Sequence, residues 1–276
     1  MTKSPATDMA PNSARSGNPF SLSGRRALVT GGSRGIGAAV TRLLAAAGAD
    51  VCIGYHSRVK EAADLAAETA LRGVRTTHHA ADVSTPAGAK NLVAHAVSTF
   101  GGLDICVHSA GVWPVPDVPA SALGDDRWAH TMRQNVDAMF YISREAARAM
   151  AKNPAGDGTG GRIVMVSSTA GQRGESMHSD YAASKGAMIS FVKSMAIELA
   201  SAGITVNAVA PGWVDTEMCV EPFANGGKER YAKGIPVGRI ASADDVAFPI
   251  VTLCFDGARH VTGEIVNVNG GSVLCG

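Results

Sequence analysis

TGGSRGIG, residues 30–37, joins the apolar run RALVT (26–30) to the helical pattern AAVTRLLAAAG (38–48), and the reading of this junction decides the fold. A glycine-rich turn between a strand and a helix bends tightly and brings its backbone N–H groups to the positive end of the helix. Placed after the first strand of an alternating chain, such a turn receives a pyrophosphate. The spacing here is G-x3-G-x-G, not G-x-G-x-x-G. Taken alone, the same turn serves equally well as a packing device, so its neighbours must decide.

Outward from the turn, strands and helices alternate. DVCIGY (50–55) reads as a second strand, RVKEAADLAAETALRG (58–73) as a helix ending on Gly73, and VRTTHHA (74–80) as a third strand. TPAGAKNLVAHAVSTFGG (85–102) opens with Pro86 at the first helical position, and LDICVHSAG (103–111) is a buried strand. A long helical region covers about 124–151. The loop NPAGDGTGG (153–161) then leads to the strand RIVMVSS (162–168), and a helix runs from Tyr181 to about Ala202. ITVNAVAPG (204–212), SADDVAFPIVTLCF (242–255) and EIVNVNGG (264–271) complete the series as strand, helix and strand. This pattern predicts an α/β fold: a single Rossmann-like, doubly wound domain with a seven-stranded parallel sheet and helices on both faces. There is no internal repeat and no second composition regime. One domain over 23–276 is expected, behind a flexible tail at 1–22 rich in Pro, Ser and Asn.

Composition narrows the partners. The 276 residues are 46% hydrophobic and 18% charged, with a formal charge of +1. That balance excludes the bulk field that would favour nucleic acid or an anionic membrane. The five cysteines (Cys52, Cys106, Cys219, Cys254, Cys275) form no C-x-x-C pair, and three lie in apolar runs. They read as buried thiols in a reducing compartment, with no metal site. No apolar stretch reaches the ~18 residues of a membrane span, and the N-terminus lacks the apolar core of a secretory signal, so a cytoplasmic protein is expected.

Three further segments carry chemistry. At the end of the second strand, Tyr55-His56-Ser57-Arg58 contains no acid to bind a ribose 2′-OH. Arg34 in the glycine turn, with Ser57 and Arg58, can instead hold a phosphate dianion, which favours NADP over NAD. Asp82, after the third strand, is read either as an adenine contact or as a cap of the next helix. Ser167-Ser168 ends the fifth strand, and Tyr181 and Lys185 stand four residues apart on a helix, hence on one face. A free phenol, with pKa ~10, is a poor base at neutral pH. A neighbouring ammonium, with a positive nicotinium ring also nearby, is expected to lower it and let Tyr181 exchange a proton with an alcohol or carbonyl, while a serine orients the oxygen. Finally, Pro211-Gly212-Trp213-Val214-Asp215-Thr216 follows the sixth strand; by itself it is a turn.

In this order and spacing TGGSRGIG, HSAG, Asn135, Ser168, YAASK and PGWVDT resemble the short-chain dehydrogenase/reductase family, over about residues 22–276. The resemblance implies a catalytic set of Asn135, Ser168, Tyr181 and Lys185. Ser168 is preferred to Ser167 by its spacing from Tyr181, and the Asn135 backbone carbonyl is implied to hold a relay water. Lys185 is implied to hold the cofactor ribose as well. The implied cofactor contacts are Gly31, Ser33, Arg34, Gly35, Ile36 and Gly37 in the first turn, then Tyr55, His56, Ser57 and Arg58, then Asp82 and Val83. They continue with Ser109, Ala110 and Gly111, with Tyr181 and Lys185, and with Pro211, Gly212, Val214 and Thr216. One departure is His108, where the family usually has asparagine; it is expected to be a satisfied structural histidine. The expected activity is hydride transfer between nicotinamide and a ketone or secondary alcohol, of the 3-oxoacyl reductase type. A cofactor-binding sensor without turnover is the alternative, and it would have no use for the Ser168/Tyr181/Lys185 set. An epimerase or dehydratase would need a further C-terminal substrate domain, for which about 60 residues after the PG motif leave little room.

The substrate itself is not legible. Residues 219–240, with Phe223, Tyr231 and Ile235 beside Lys228, Arg230 and Lys233, are expected to form a lid, the substrate loop beginning near residue 213. Trp113, Trp213 and His178 line the pocket or pack beside it; both readings stand. A homotetramer or homodimer through the helices at about 124–151 and 181–202 is implied by the resemblance.

Overall fold

The computed structural model describes residues 18–153 and 160–274. Its strands are β1 (Arg26–Thr30), β2 (Asp50–Tyr55), β3 (Thr76–Ala80), β4 (Ile105–His108), β5 (Arg162–Val166), β6 (Thr205–Pro211) and β7 (Ile265–Val268). All pair in parallel, in the order β3-β2-β1-β4-β5-β6-β7. The helices are α1 (Gly35–Ala46), α2 (Val59–Ala70), α3 (Pro86–Phe100), α4 (Asp125–Met132), α5 (Ala138–Met150), α6 (Thr169–Arg173), α7 (Ser179–Leu199), α8 (Val220–Phe223), α9 (Gly227–Lys233) and α10 (Ala243–Thr252). Doubly wound topology with a seven-stranded parallel sheet is therefore observed.

Side chains alternate across each strand, so the sheet feeds two cores. Ala27, Val29, Val51, Ile53, Ile105, Val107, Val164, Val166 and Val209 pack under α1, α2 and α10. Leu28, Cys52, Cys106, Ile163, Met165, Val206 and Ala208 pack under α3, α5 and α7. Burial on both faces explains why β1, β4 and β5 read as continuous apolar runs. Local chemistry sets the helix starts: Thr85 accepts the Gly88 N–H ahead of Pro86, and Ser242 with Asp245 forms a full capping box on α10.

Two boundaries differ from expectation. The long helical region is three pieces, because a π-helical turn, Arg133–Asp137, separates α4 from α5. The tail boundary expected at residue 22 falls inside packed chain. Leu22 is buried and donates its N–H to the Ala47 carbonyl at 2.7 Å, and Phe20 sits edge-on to Phe255. Residues 1–17 of that tail, and 154–159 of the loop at 153–161, lie outside the described residues. Among the described residues, no helix is long and apolar enough to cross a membrane.

The order in which successive strands join the sheet reverses between β1 and β4. Thr30 is level with Gly54 on one side and with His108 on the other, so the loops after these strands open on one edge. Ligands of doubly wound sheets bind at such a switch point, outside the carboxyl ends of the strands.

Candidate active site

A cavity of about 570 Å³ runs along this edge. It is lined by the loops after β1 through β6, and it contains all the residues expected from the sequence except Gly37 and Asn135. Gly31 has φ +62°, and a Cβ on it would stand 3.0 Å from the Ala110 backbone; this close approach lets the first turn lie flat against the β4 loop. Gly37 is a correction: it does not line the cavity. A Cβ there would fall 2.2 Å from the Gly31 carbonyl oxygen, so its part is to let α1 meet the turn. The cradle closed by these glycines, at the N-terminus of α1, fits a pyrophosphate, and the cavity continuing past it fits a dinucleotide.

Beyond the turn, the two arginines expected to hold a phosphate do converge, on a partner that sequence reasoning missed. Arg34 meets the Glu217 carboxylate at 2.7 Å, and Arg58 meets the same oxygen at 3.4 Å while holding Glu61 at 3.0 Å. All three lining side chains, Arg34, Arg58 and Glu217, are about half exposed. Asp82 lines the cavity and is not the cap of α3, since Thr85 takes that place. It accepts the Ser84 hydroxyl at 2.6 Å and the Ser84 N–H at 3.0 Å, and the former chiefly keeps its carboxyl below the usual range.

Tyr181 and Lys185 are buried at the other end, with Ser168 beside them. Ser168 caps α6, its oxygen accepting the Ala170 N–H at 3.1 Å, and its hydroxyl is hydrogen-bonded to the Tyr181 phenol. Ser167 differs: it donates to the Lys185 carbonyl at 3.1 Å, and so fastens β5 to α7. Lys185 Nζ lies 5.7 Å from the centre of the Tyr181 ring and donates to the Val166 carbonyl at 2.7 Å. Burial pushes the phenol up to about 12 against the lowering hydrogen bond from Ser168, and pushes the ammonium down to about 8. The Lys185 ammonium by itself does not lower Tyr181. Desolvation penalises both charged forms more than the pair gains across 5.7 Å. At neutral pH the tyrosine is a phenol, hence a proton donor.

Asn135 sits in the π-helical turn, fully buried and outside the cavity wall. Its side-chain oxygen accepts the Val112 N–H at 2.8 Å, and its amide donates to the Val112 carbonyl at 3.1 Å and to Ser184 Oγ at 3.0 Å. Gly111 keeps the space between it and the lysine open: a Cβ there would be 3.1 Å from Asn135 Oδ1 and 3.6 Å from Lys185 Nζ. His108 is only half satisfied. Thr30 Oγ1 meets its Nδ1 at 2.9 Å and also accepts the Ala110 N–H at 3.2 Å. Nε2 has no hydrogen-bond partner, and burial pushes the ring down to about 3, which keeps it neutral.

Pro211, Gly212, Val214 and Thr216 line the cavity, as do Trp113 and Trp213; His178 is buried behind Trp113, ring centres 3.9 Å apart. The lid segment is helical at α8 and α9, short elements that its mixed composition did not announce. Cys52, Cys106 and Cys254 are buried and free, their thiols pushed up to about 12. Cys219 instead lines the cavity, and Cys275 lies outside the described residues.

A family model described as enoyl-(acyl carrier protein) reductase matches residues 31–272. A 3-oxoacyl-[acyl-carrier-protein] reductase of Salmonella typhimurium is 35% identical over 92% of this chain and 100% of its own length. Nodulation protein G of Rhizobium meliloti is 36% identical over 92% and 99%. Among solved structures, a putative short-chain alcohol dehydrogenase from Sinorhizobium meliloti superposes with a TM-score of 0.86 at 33% identity, covering 92% of this chain and 98% of that one. A short chain dehydrogenase from Burkholderia cenocepacia, in complex with NADP, gives 0.83 at 36% identity, over 91% and 98%.

Proposed function

The chain belongs to the short-chain dehydrogenase/reductase family, and from that premise we propose that it reduces a ketone to a secondary alcohol with NADPH, using Tyr181 as the proton donor. It is an NAD(P)-dependent oxidoreductase acting on C=O and CH–OH groups. The observation that carries the assignment of residues is the meeting of Ser168, Tyr181 and Lys185 at one buried end of one cavity.

Bound along the cavity, the reduced nicotinamide supplies two electrons as hydride. The protein does the rest. Ser168 donates to the substrate carbonyl oxygen and polarises it. Tyr181, protonated at neutral pH, gives that oxygen its proton. The Lys185 ammonium, held by the Val166 carbonyl, stabilises the phenolate left behind. Asn135 belongs to this machinery through the route by which Tyr181 is reprotonated. Burial of both groups keeps bulk water from competing.

The cofactor is NADPH by preference: with no acid at the end of β2, Arg34 and Arg58 offer two guanidinium groups to a 2′-phosphate in exchange for Glu217. The substrate class is that of the 3-oxoacyl reductases among its relatives. One catalytic domain carries both sites, residues 213–240 forming the substrate loop, and the enzyme is cytoplasmic, in keeping with its buried, unpaired thiols. Assembly is as a homotetramer or homodimer through α5 and α7, which expose Phe140 and Ile197.

The test follows NADPH absorbance with a 3-oxo ester as substrate. Tyr181→Phe keeps the ring but not the proton, and is expected to lower kcat/KM by about 10³-fold. A variant that keeps more than about a tenth of the rate removes Tyr181 from the role given to it.

A further inference from the structure

Aromatic residues make up only 5% of this chain, yet two of its three tryptophans and two of its four tyrosines gather at the reactive end of the cavity. The rings form one continuous series. Trp113 lies edge-on to the catalytic Tyr181, with centres 4.6 Å apart, and 5.9 Å from Trp213, which is stacked on Tyr231 at 4.1 Å. Both walls are braced from outside the cavity. His178, itself buried, stacks on Trp113 at 3.9 Å, and Phe223 lies 5.8 Å from Trp213. Trp113 comes from the loop after β4, Trp213 from the loop after β6 and Tyr231 from α9, so three separate segments converge on one surface.

The charged side chains at this end are engaged with each other or with the rings. Arg173 and Glu175 pair with each other at 2.9 Å, and Arg230 lies over the Tyr231 ring at 5.0 Å and donates to its hydroxyl at 3.3 Å. A polyhydroxylated substrate needs several unengaged donors and acceptors, and the alkyl end of a 3-oxoacyl group gains buried area from such walls but no quadrupole complementarity. A planar π-system gains both area and quadrupole complementarity from them.

Resting on the carbonyl-reductase reading above, we infer that the physiological substrate is a ketone with an aromatic ring beside the carbonyl, received against the surface that Trp113 and Trp213 present to the cavity. In such a substrate, the ring lies against the tryptophans while the carbonyl oxygen reaches Ser168 and Tyr181.

The test compares rings of equal size with and without a π-face. 1-Phenylethanol and 1-cyclohexylethanol, as product analogues, are titrated into the NADP-loaded enzyme, and tryptophan fluorescence is read. The aryl alcohol is expected to bind about tenfold more tightly, the equivalent of about 1.4 kcal/mol. In Trp113→Leu and Trp213→Leu that ratio falls to about two or less. Kinetics with ethyl 3-oxo-3-phenylpropanoate and ethyl 3-cyclohexyl-3-oxopropanoate should show the same loss of discrimination in KM. Equal binding of the two alcohols, or a ratio unchanged in both variants, overturns the inference. If ethyl 3-oxobutanoate is reduced in a Tyr181-dependent manner while the aryl compounds are not bound, the aromatic class falls and the reductase stands. If no carbonyl is reduced by an enzyme that binds NADPH, the reductase reading falls first.

Discussion

Replacing Lys185 by methionine should abolish reduction and at the same time stabilise the cofactor-free protein. The side chain is buried, and burial lowers its pKa from 10.5 to about 8. At ~1.36 kcal/mol per unit, keeping that ammonium charged costs the folded state about 3 kcal/mol. Methionine retains the apolar stem and removes the charge. It also removes the charge-assisted 2.7 Å bond to the Val166 carbonyl, a loss of ~2 kcal/mol. The net is a gain of about 1 kcal/mol near pH 7, or a rise in Tm of about 3 °C for a domain of this size. The sign follows from proton binding: the folded lysine holds its proton less tightly than the unfolded one. The cost is therefore complete below about pH 8 and is relieved as pH rises through 8 to 10.5, above which neither state is charged. Thermal unfolding of both proteins, cofactor-free, from about pH 6 to pH 10 measures the difference. It should be largest at and below pH 7 and shrink steadily above pH 8. A variant less stable than the parent at pH 7, or an offset constant across the range, refutes the reasoning.

Other outcomes follow from the same geometry. Since Lys185 must be charged to hold the phenolate, kcat/KM for ketone reduction should be flat below about pH 8 and fall about tenfold per unit above it, as read by NADPH oxidation in wide-range buffers. Glu217→Gln frees Arg34 and Arg58, and should tighten NADPH by up to about fivefold, a limit set by the exposure of these pairs. Arg58→Ala should weaken NADPH about tenfold, and NADH should move less than twofold in either variant; fluorescence titration with both cofactors decides. Gly37→Ala forces a Cβ to within 2.2 Å of the Gly31 carbonyl oxygen, and should lower the urea unfolding free energy by about 2 kcal/mol and raise the KM for NADPH.

The fold was legible because its signals are local and periodic. RALVT and DVCIGY coincide with β1 and β2, and Pro86 and Ser242 mark the starts of α3 and α10. Where the signal was not periodic, reading by pattern failed. The π-helical turn at Arg133–Asp137 keeps a helical composition, and α8 and α9 are short helices without an apolar stripe. The order of Ser168, Tyr181 and Lys185 along the chain was equally visible, since four residues on a helix share a face whatever surrounds them.

By itself, then, the amino-acid sequence determined the alternation of strand and helix, the glycine turn and the placing of Tyr181 and Lys185 on one helix face, all of which depend on near neighbours in the chain. Only the tertiary structure decided the protonation states, because desolvation is a property of everything packed around a group: it leaves Tyr181 a phenol where an adjacent lysine alone argues for a phenolate. Only the tertiary structure brought Glu217 onto Arg34 and Arg58, across 183 and 159 positions of chain, and Trp113 to within reach of Trp213. Contacts of that separation are set by the sheet order, which returns six loops to one edge, and no local pattern encodes which of their side chains will meet there.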